Sequence, residues 1–256
     1  MEYKDRVYRD YLSNDRWTSF IIKYRGADIW IGVDKDSYQA DMPEFCNTVF
    51  RDLKISVEEY FKRDPSFATS LVPYEAQEFA PEILKKMSAV SYKTGIGPMS
   101  AVAGAVALYI LEALKSRYNI VEGIVENGGD IYADIKEDID VPVFAGGSPL
   151  SEKVGLHIQA SEAPLGICTS SGTVGHSLSF GKADAVMIIC HDVLLADSYA
   201  TNFANYIRKA EDINKMLDKI KQIDDILAAL LIKDDQMGVI GKFELKLFQH
   251  GDSTSE

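Results

Sequence analysis

The chain has 256 residues, with 27 Lys+Arg against 39 Asp+Glu, for a formal net charge of −12. By area scaling about 70% of the unfolded chain's surface is buried on folding, which is ample for one large core. An apolar fraction of 46% with 26% charged residues excludes a disordered chain, and the acidity excludes a general binder of nucleic-acid backbone. The first residues carry no apolar leader core, and the longest apolar run, Ala101 to Leu111, is too short to cross a bilayer. Cys46, Cys168 and Cys190 form no CxxC pair, so neither a structural zinc site nor a disulfide framework is expected. These features predict a cytoplasmic, soluble protein.

In chain order, Thr18–Tyr24 and Ala27–Val33 flank Arg25-Gly26 and predict a hairpin with Phe20, Ile22 and Tyr24 on one face. Pro43–Phe61 and Pro81–Lys93 predict helices, the second stopped by Gly95. Pro98–Arg117 predicts a third, with a single narrow polar stripe through Tyr109 and Glu112. Its Ala101, Ala103, Gly104, Ala105 and Ala107 allow a neighbouring element to approach closely. Short strands are predicted at Ile120–Val125, Ile131–Ile135, Val141–Ala145, Val154–Ala160 and Ala185–Cys190, separated by glycine turns. From Lys182 to Met237 there is neither Gly nor Pro, which predicts a largely helical stretch over about 196–232. Within it Ile213, Met216, Ile220, Ile223, Leu227 and Leu230 recur at spacings of three and four, either covering the chain's own sheet or pairing subunits. Val239–Ile240 and Phe243–Phe248 predict a closing hairpin around Gly241-Lys242, and the tail 251–256 is expected to fray. No linker divides the chain, so residues 1–256 predict one α+β domain.

Three stretches could carry chemistry. Asn127-Gly128-Gly129-Asp130 lies between two predicted strands. Its glycines permit close backbone approach and N–H groups aimed at an anion, and Asp130 suits a ribose hydroxyl or a metal; the alternative is a plain hairpin turn. Cys168 to Thr173 holds Thr169, Ser170, Ser171 and Gly172, a hydroxyl-rich loop able to bind phosphate oxygens or simply to turn the chain; His176 follows as a donor or acid–base group. In Ala196–Asn202, Asp197 and Thr201 share one helix face and offer hard oxygen ligands for Mg²⁺, unless Asp197 only caps the helix. Cys190 and His191 are adjacent on a predicted strand end and face opposite sides, which disfavours a nucleophile pair.

The order of NGGDI at 127–131, TSSG at 169–172 and ADSYAT at 196–201 resembles the ApbE-like superfamily, whose type members are FAD:protein FMN transferases. The block Gly97–Ala105 resembles the helix start of a shorter branch of that superfamily. The resemblance implies an α+β fold with antiparallel or mixed sheets and packed helices, related to the tunnelling fold. It further implies Mg²⁺ held by Asp197 and Thr201, and FAD or FMN lined by Asn127, Gly128, Gly129, Asp130, Thr169, Ser170, Ser171, Gly172 and His176. The implied activity is transfer of FMN from FAD to a protein acceptor. Two other readings are a non-catalytic binder of a flavin, pterin or purine-like ligand, and an assembly protein. A homodimer is expected, by analogy with tunnelling-fold relatives and from the 213–230 stripe.

Overall fold

The computed structural model describes Arg9, residues 15–172 and residues 181–248. The predicted hairpin forms as β1 (Trp17–Tyr24) and β2 (Ala27–Asp34). Helix α1 (Met42–Arg63) begins with Pro43 in its first turn and is followed by the short α2 (Pro65–Thr69). Helix α3 (Glu82–Thr94) stops at Gly95, whose φ of 79° is the left-handed conformation that ends helices and that glycine adopts freely. Pro98–Ala101 is a single 3₁₀ turn leading into α4 (Val102–Arg117). Strands β3 (Gly123–Asn127), β4 (Asp130–Asp134), β5 (Ile139–Pro142), β6 (Val154–Ile158), β7 (Leu165–Ser170) and β8 (Ala185–Cys190) follow. The chain continues through α5 (Val193–Tyr206), α6 (Asp212–Ile220), β9 (Ile226–Lys233), β10 (Gln236–Gly241) and β11 (Glu244–Leu247).

Eight strands make one antiparallel sheet in the order β1-β2-β3-β4-β7-β8-β9-β10, and β11-β6-β5 make a second. The large sheet is covered on both faces, which explains the unbroken apolar runs of its central strands. Along β8, Val186, Ile188 and Cys190 join the core beneath the helices, whereas Ala185, Met187 and Ile189 join the core beneath the small sheet. The predicted α+β class with antiparallel sheets and packed helices is the observed one. The 20 residues Pro98–Arg117 are long and apolar enough to cross a membrane by length and composition alone. Here Ala101, Ala105, Ala107, Ile110, Leu111 and Leu114 bury into the core under the helices. The three cysteines are free and buried.

Three expectations need correction. The stretch 196–232 is not one helix: α5 ends at Tyr206, α6 at Ile220, and 226–233 is a central strand. ILAALLIK is a continuous apolar run, for which helical spacing and a two-sided buried strand give the same signal. The stripe accordingly divides, with Ile213, Met216 and Ile220 in α6 and Leu230 in β9 facing the other core. Residues 165–170, read in part as a loop, form the strand between β4 and β8. β10 and β11 do not pair with each other; β10 borders β9 in the large sheet and β11 borders β6 in the small one. The tail 251–256 lies outside the described residues.

Helix α5 sits directly on β7 because Gly166 has no side chain: a Cβ there would lie 2.3 Å from the Cα of Val193. Gly166→Ala is therefore expected to cost about 3 kcal/mol, the upper range for overpacking a tight core. Urea denaturation measures it, and a loss within experimental error of zero would contradict this packing.

Candidate functional site: a buried carboxylate pair beside a glycine turn

β3 and β4 pair Asn127 with Asp130, leaving Gly128 and Gly129 as a two-residue turn. Their φ values of 73° and 105° are both positive, the conformation that a tight primed hairpin turn demands and that L side chains resist. The plain hairpin geometry thus holds, and it does more than reverse the chain. A Cβ on Gly128 would meet nothing within 4 Å, and one on Gly129 only the Thr169 carbonyl at 3.5 Å, so the turn is open on that side. The Gly129 N–H does not await a ligand anion; it donates to Glu126 Oε1 at 2.7 Å.

Glu126 is fully buried and is held by Arg9, whose Nε donates to Glu126 Oε2 at 2.6 Å and whose Nη1 donates to Asp28 Oδ1 at 2.5 Å. Asn127 Nδ2 donates to the Ala103 carbonyl at 3.2 Å and ties the turn to the start of α4.

Asp130 opens β4 opposite Cys168 of β7 and is buried. The Cys168 thiol and the Thr169 N–H lie beside it and favour its charged form, the thiol donating to the Val193 carbonyl at 3.7 Å. Asp130 Oδ1, however, is buried without a partner. Burial first, and then the nearby Asp197 carboxylate, hold Asp130 well above the usual carboxylate range. Asp197 lies inside α5; the cap of that helix is Asp192, whose side chain accepts from the Leu194 N–H. Asp197 Oδ2 instead accepts from the Gly104 N–H at 2.8 Å, and Ala103 N–H donates to the same carboxylate. Burial pushes Asp197 up to about 7 despite those two donors. The predicted close approach to Gly104 is real: a Cβ there would lie 2.8 Å from the Val193 carbonyl oxygen and 3.1 Å from Asp197 Cβ.

Thr201 is half-buried, one turn after Asp197 in α5. Thr169 and Ser170 end β7. Ser171 and Gly172 are bound to the entry of β8, through Ser171 Oγ to Ala183 O at 3.4 Å and Gly172 N to Ala183 O at 2.9 Å. The structure therefore gathers Asn127, Gly128, Gly129, Asp130, Thr169 and Asp197 around α4's first turn, while Ser171 and Gly172 bond elsewhere. His176 and Thr173 lie outside the described residues. Arg9, Asp28 and Glu126 were not singled out in the sequence. An isolated arginine more than a hundred residues from its carboxylate partner leaves no local spacing to read.

Two predictions follow from the electrostatics. The folded state holds protons on Asp130 and Asp197 more tightly than the unfolded chain, so in chelator stability declines as pH rises from about 4 to about 7. At about 1.4 kcal/mol per pH unit, Asp197 alone accounts for about 4 kcal/mol over that window. Asp197→Asn keeps an acceptor for Gly104 and is expected to flatten the decline in urea denaturation; parallel profiles would contradict it. Arg9→Ala leaves Glu126 buried beside Asp28 without its cation, and a loss of about 3–5 kcal/mol is expected in the same assay.

A family model described as "AbpE bacteria" matches residues 9–237. A UPF0280 protein from Methanocella arvoryzae is 37% identical over 210 residues, covering 82% of this chain and 84% of the relative. Another from Methanocaldococcus jannaschii is 34% identical over 231 residues, covering 88% and 91%. Among solved structures, the apo flavinyl transferase ApbE of Pseudomonas stutzeri superposes with a TM-score of 0.56 at 12% identity, over 91% of this chain and 96% of that one. The ApbE protein of Thermotoga maritima gives 0.57 at 13% identity, over 84% and 94%. These structures share the fold, and the family match and the archaeal relatives fix the membership: the chain belongs to the AbpE bacteria family, together with the UPF0280 proteins.

Proposed function

We propose that this chain, as a single ApbE-like domain, binds a flavin nucleotide (FAD or FMN) together with Mg²⁺ and transfers FMN from FAD to a protein acceptor. The observation that carries the reading is the pair of buried carboxylates, Asp130 and Asp197, with Asp130 Oδ1 lacking any partner. Two carboxylates brought together out of water repel each other, and a cation or a shared proton relieves that. Among the described residues no group of three or more His, Cys, Asp and Glu is arranged as a metal cage. That donor set fits Mg²⁺, which takes one or two carboxylates and completes its octahedron with phosphate oxygens and water.

In this reading Asp197 and Thr201 hold the ion from one face of α5, with Asp130 Oδ1 facing it from the start of β4. The ion, when bound, neutralises charge developing on a pyrophosphate under attack. The chain's own residues orient and exclude water. Gly104 and Ala103 N–H groups fix the Asp197 carboxylate, and Glu126 fixes the Gly129 peptide. The open side of the Gly128-Gly129 turn leaves room for a nucleotide to lie against backbone. Thr169 and Ser170 flank that space at the end of β7, Ser171 and Gly172 carry the chain on toward β8, and His176 follows in sequence as a donor to phosphate. The flavinyl transferase fold of the structural neighbours supports the same reading.

Isothermal titration of FAD, FMN and ADP, with Mg²⁺ and with chelator, tests it. Metal-dependent FAD binding is expected, weakened at least about a hundredfold in Asp197→Ala, as when a buried charged contact is lost. Metal-independent binding of the flavin that survives this substitution would favour the non-catalytic binder. No binding of any of the three ligands would overturn the proposal.

A further inference from the structure

We propose that the outer edge of β11, which no strand among the described residues borders, joins two copies of this chain into a homodimer, by antiparallel β11–β11 pairing centred on Leu245. The α6 part of the apolar stripe is consumed internally, with Ile213, Met216, Leu217 and Ile220 buried. The edge of the small sheet is different. Val143 N–H bonds Val154 O on one side of β6, and Phe248 N–H bonds Lys153 O on the other. Backbone groups alternate direction along a strand. With Leu245 opposite Leu156 and Leu247 opposite Val154, residues 244, 246 and 248 therefore direct their backbone groups at β6. Leu245 and Leu247 direct theirs outward, away from the sheet.

The side chains add a reason for this edge to meet a second copy of itself. Leu245 and Leu247 lie on the same face as their buried partners Leu156 and Val154, yet they are 37% and 67% exposed. Met237 and Val239 on β10, paired with buried Ile232 and Leu230, continue apolar character at the border of the facing sheet. β11 contains no proline, no bulge and no inward-pointing charge, and of the other protections of a free edge it has a short length of four residues and two exposed charges of opposite sign, Glu244 and Lys246. Its opposite face carries Glu244 and Lys246, the latter 3.0 Å from Asp140. Antiparallel pairing centred on Leu245 places each copy's Glu244 across from the other copy's Lys246. It also sets the two Leu245 residues opposite each other. The sequence Glu-Leu-Lys is thus self-complementary in charge under a two-fold axis, which an isologous interface requires.

Sedimentation velocity over a wide concentration range tests the pairing through a charge swap. The wild-type chain is expected to dimerise reversibly. Glu244→Lys and Lys246→Glu should each raise the dimer dissociation constant by about tenfold, since each turns two cross-strand attractions into repulsions. The double variant Glu244→Lys/Lys246→Glu should return it to near the wild-type value. A wild-type chain that stays monomeric overturns the inference. So do single variants that leave the dimer unmoved, or a double variant as weak as either single one.

Discussion

The Asp197 carboxylate, seated on the N–H groups of Ala103 and Gly104, is the interaction from which the rest of this site follows. The first N–H groups of a helix lack partners within it and carry a positive partial charge. In α4 two of them are satisfied from another helix, by a carboxylate 93 positions later in the chain. That bond requires α5 to approach α4 closely, and Gly104 permits the approach because a Cβ would press on Val193 and Asp197. Gly166 permits the matching approach of α5 to β7. Two glycines, both pressed against Val193 in the first turn of α5, thus define where a carboxylate stands at the end of the sheet.

The consequence is electrostatic. Two donors do not outweigh the cost of burial, and Asp197 remains pushed up to about 7. Asp197 in turn raises the cost on Asp130, which the β3–β4 turn directs into the same space beside Cys168 and Thr169. A structure that only needed to cap α4 could do so with a serine or a lone aspartate. Placing a second carboxylate beside it, with one oxygen unpartnered, makes sense where a cation enters. The turn that directs Asp130 is itself anchored by Glu126 and Arg9, so the carboxylate is supported from both the sheet and the N-terminal segment.

Much of this architecture could be read from the residues. The opening hairpin, the three helices through Arg117 and strand β8 follow from periodicity and from Pro and Gly punctuation. The small residues of α4 foretold a close neighbour, and the spacing of Asp197 and Thr201 placed them on one helical face. What the sequence did not show depends on partners distant along the chain. Whether ILAALLIK is helix or strand is decided by β8 and β10 on either side of it. The hydroxyl-rich stretch from Cys168 reads as a loop by composition, since Thr169 and Ser170 are turn-prone residues, yet Cys168–Ser170 end a strand held by its neighbours β4 and β8. The role of Gly129 was legible as a turn, but not that Glu126 occupies its N–H.

The central claim is that the carboxylate pair is a cation site serving a nucleotide. Anomalous diffraction from crystals grown with Mn²⁺ and ADP tests it most directly, Mn²⁺ standing in for Mg²⁺ as another hard, oxygen-seeking ion. The account predicts one strong peak within about 2.3 Å of an Asp197 carboxylate oxygen and the Thr201 hydroxyl, with phosphate oxygens completing the coordination. Crystals showing ADP bound with no peak between Asp130 and Asp197 would contradict it.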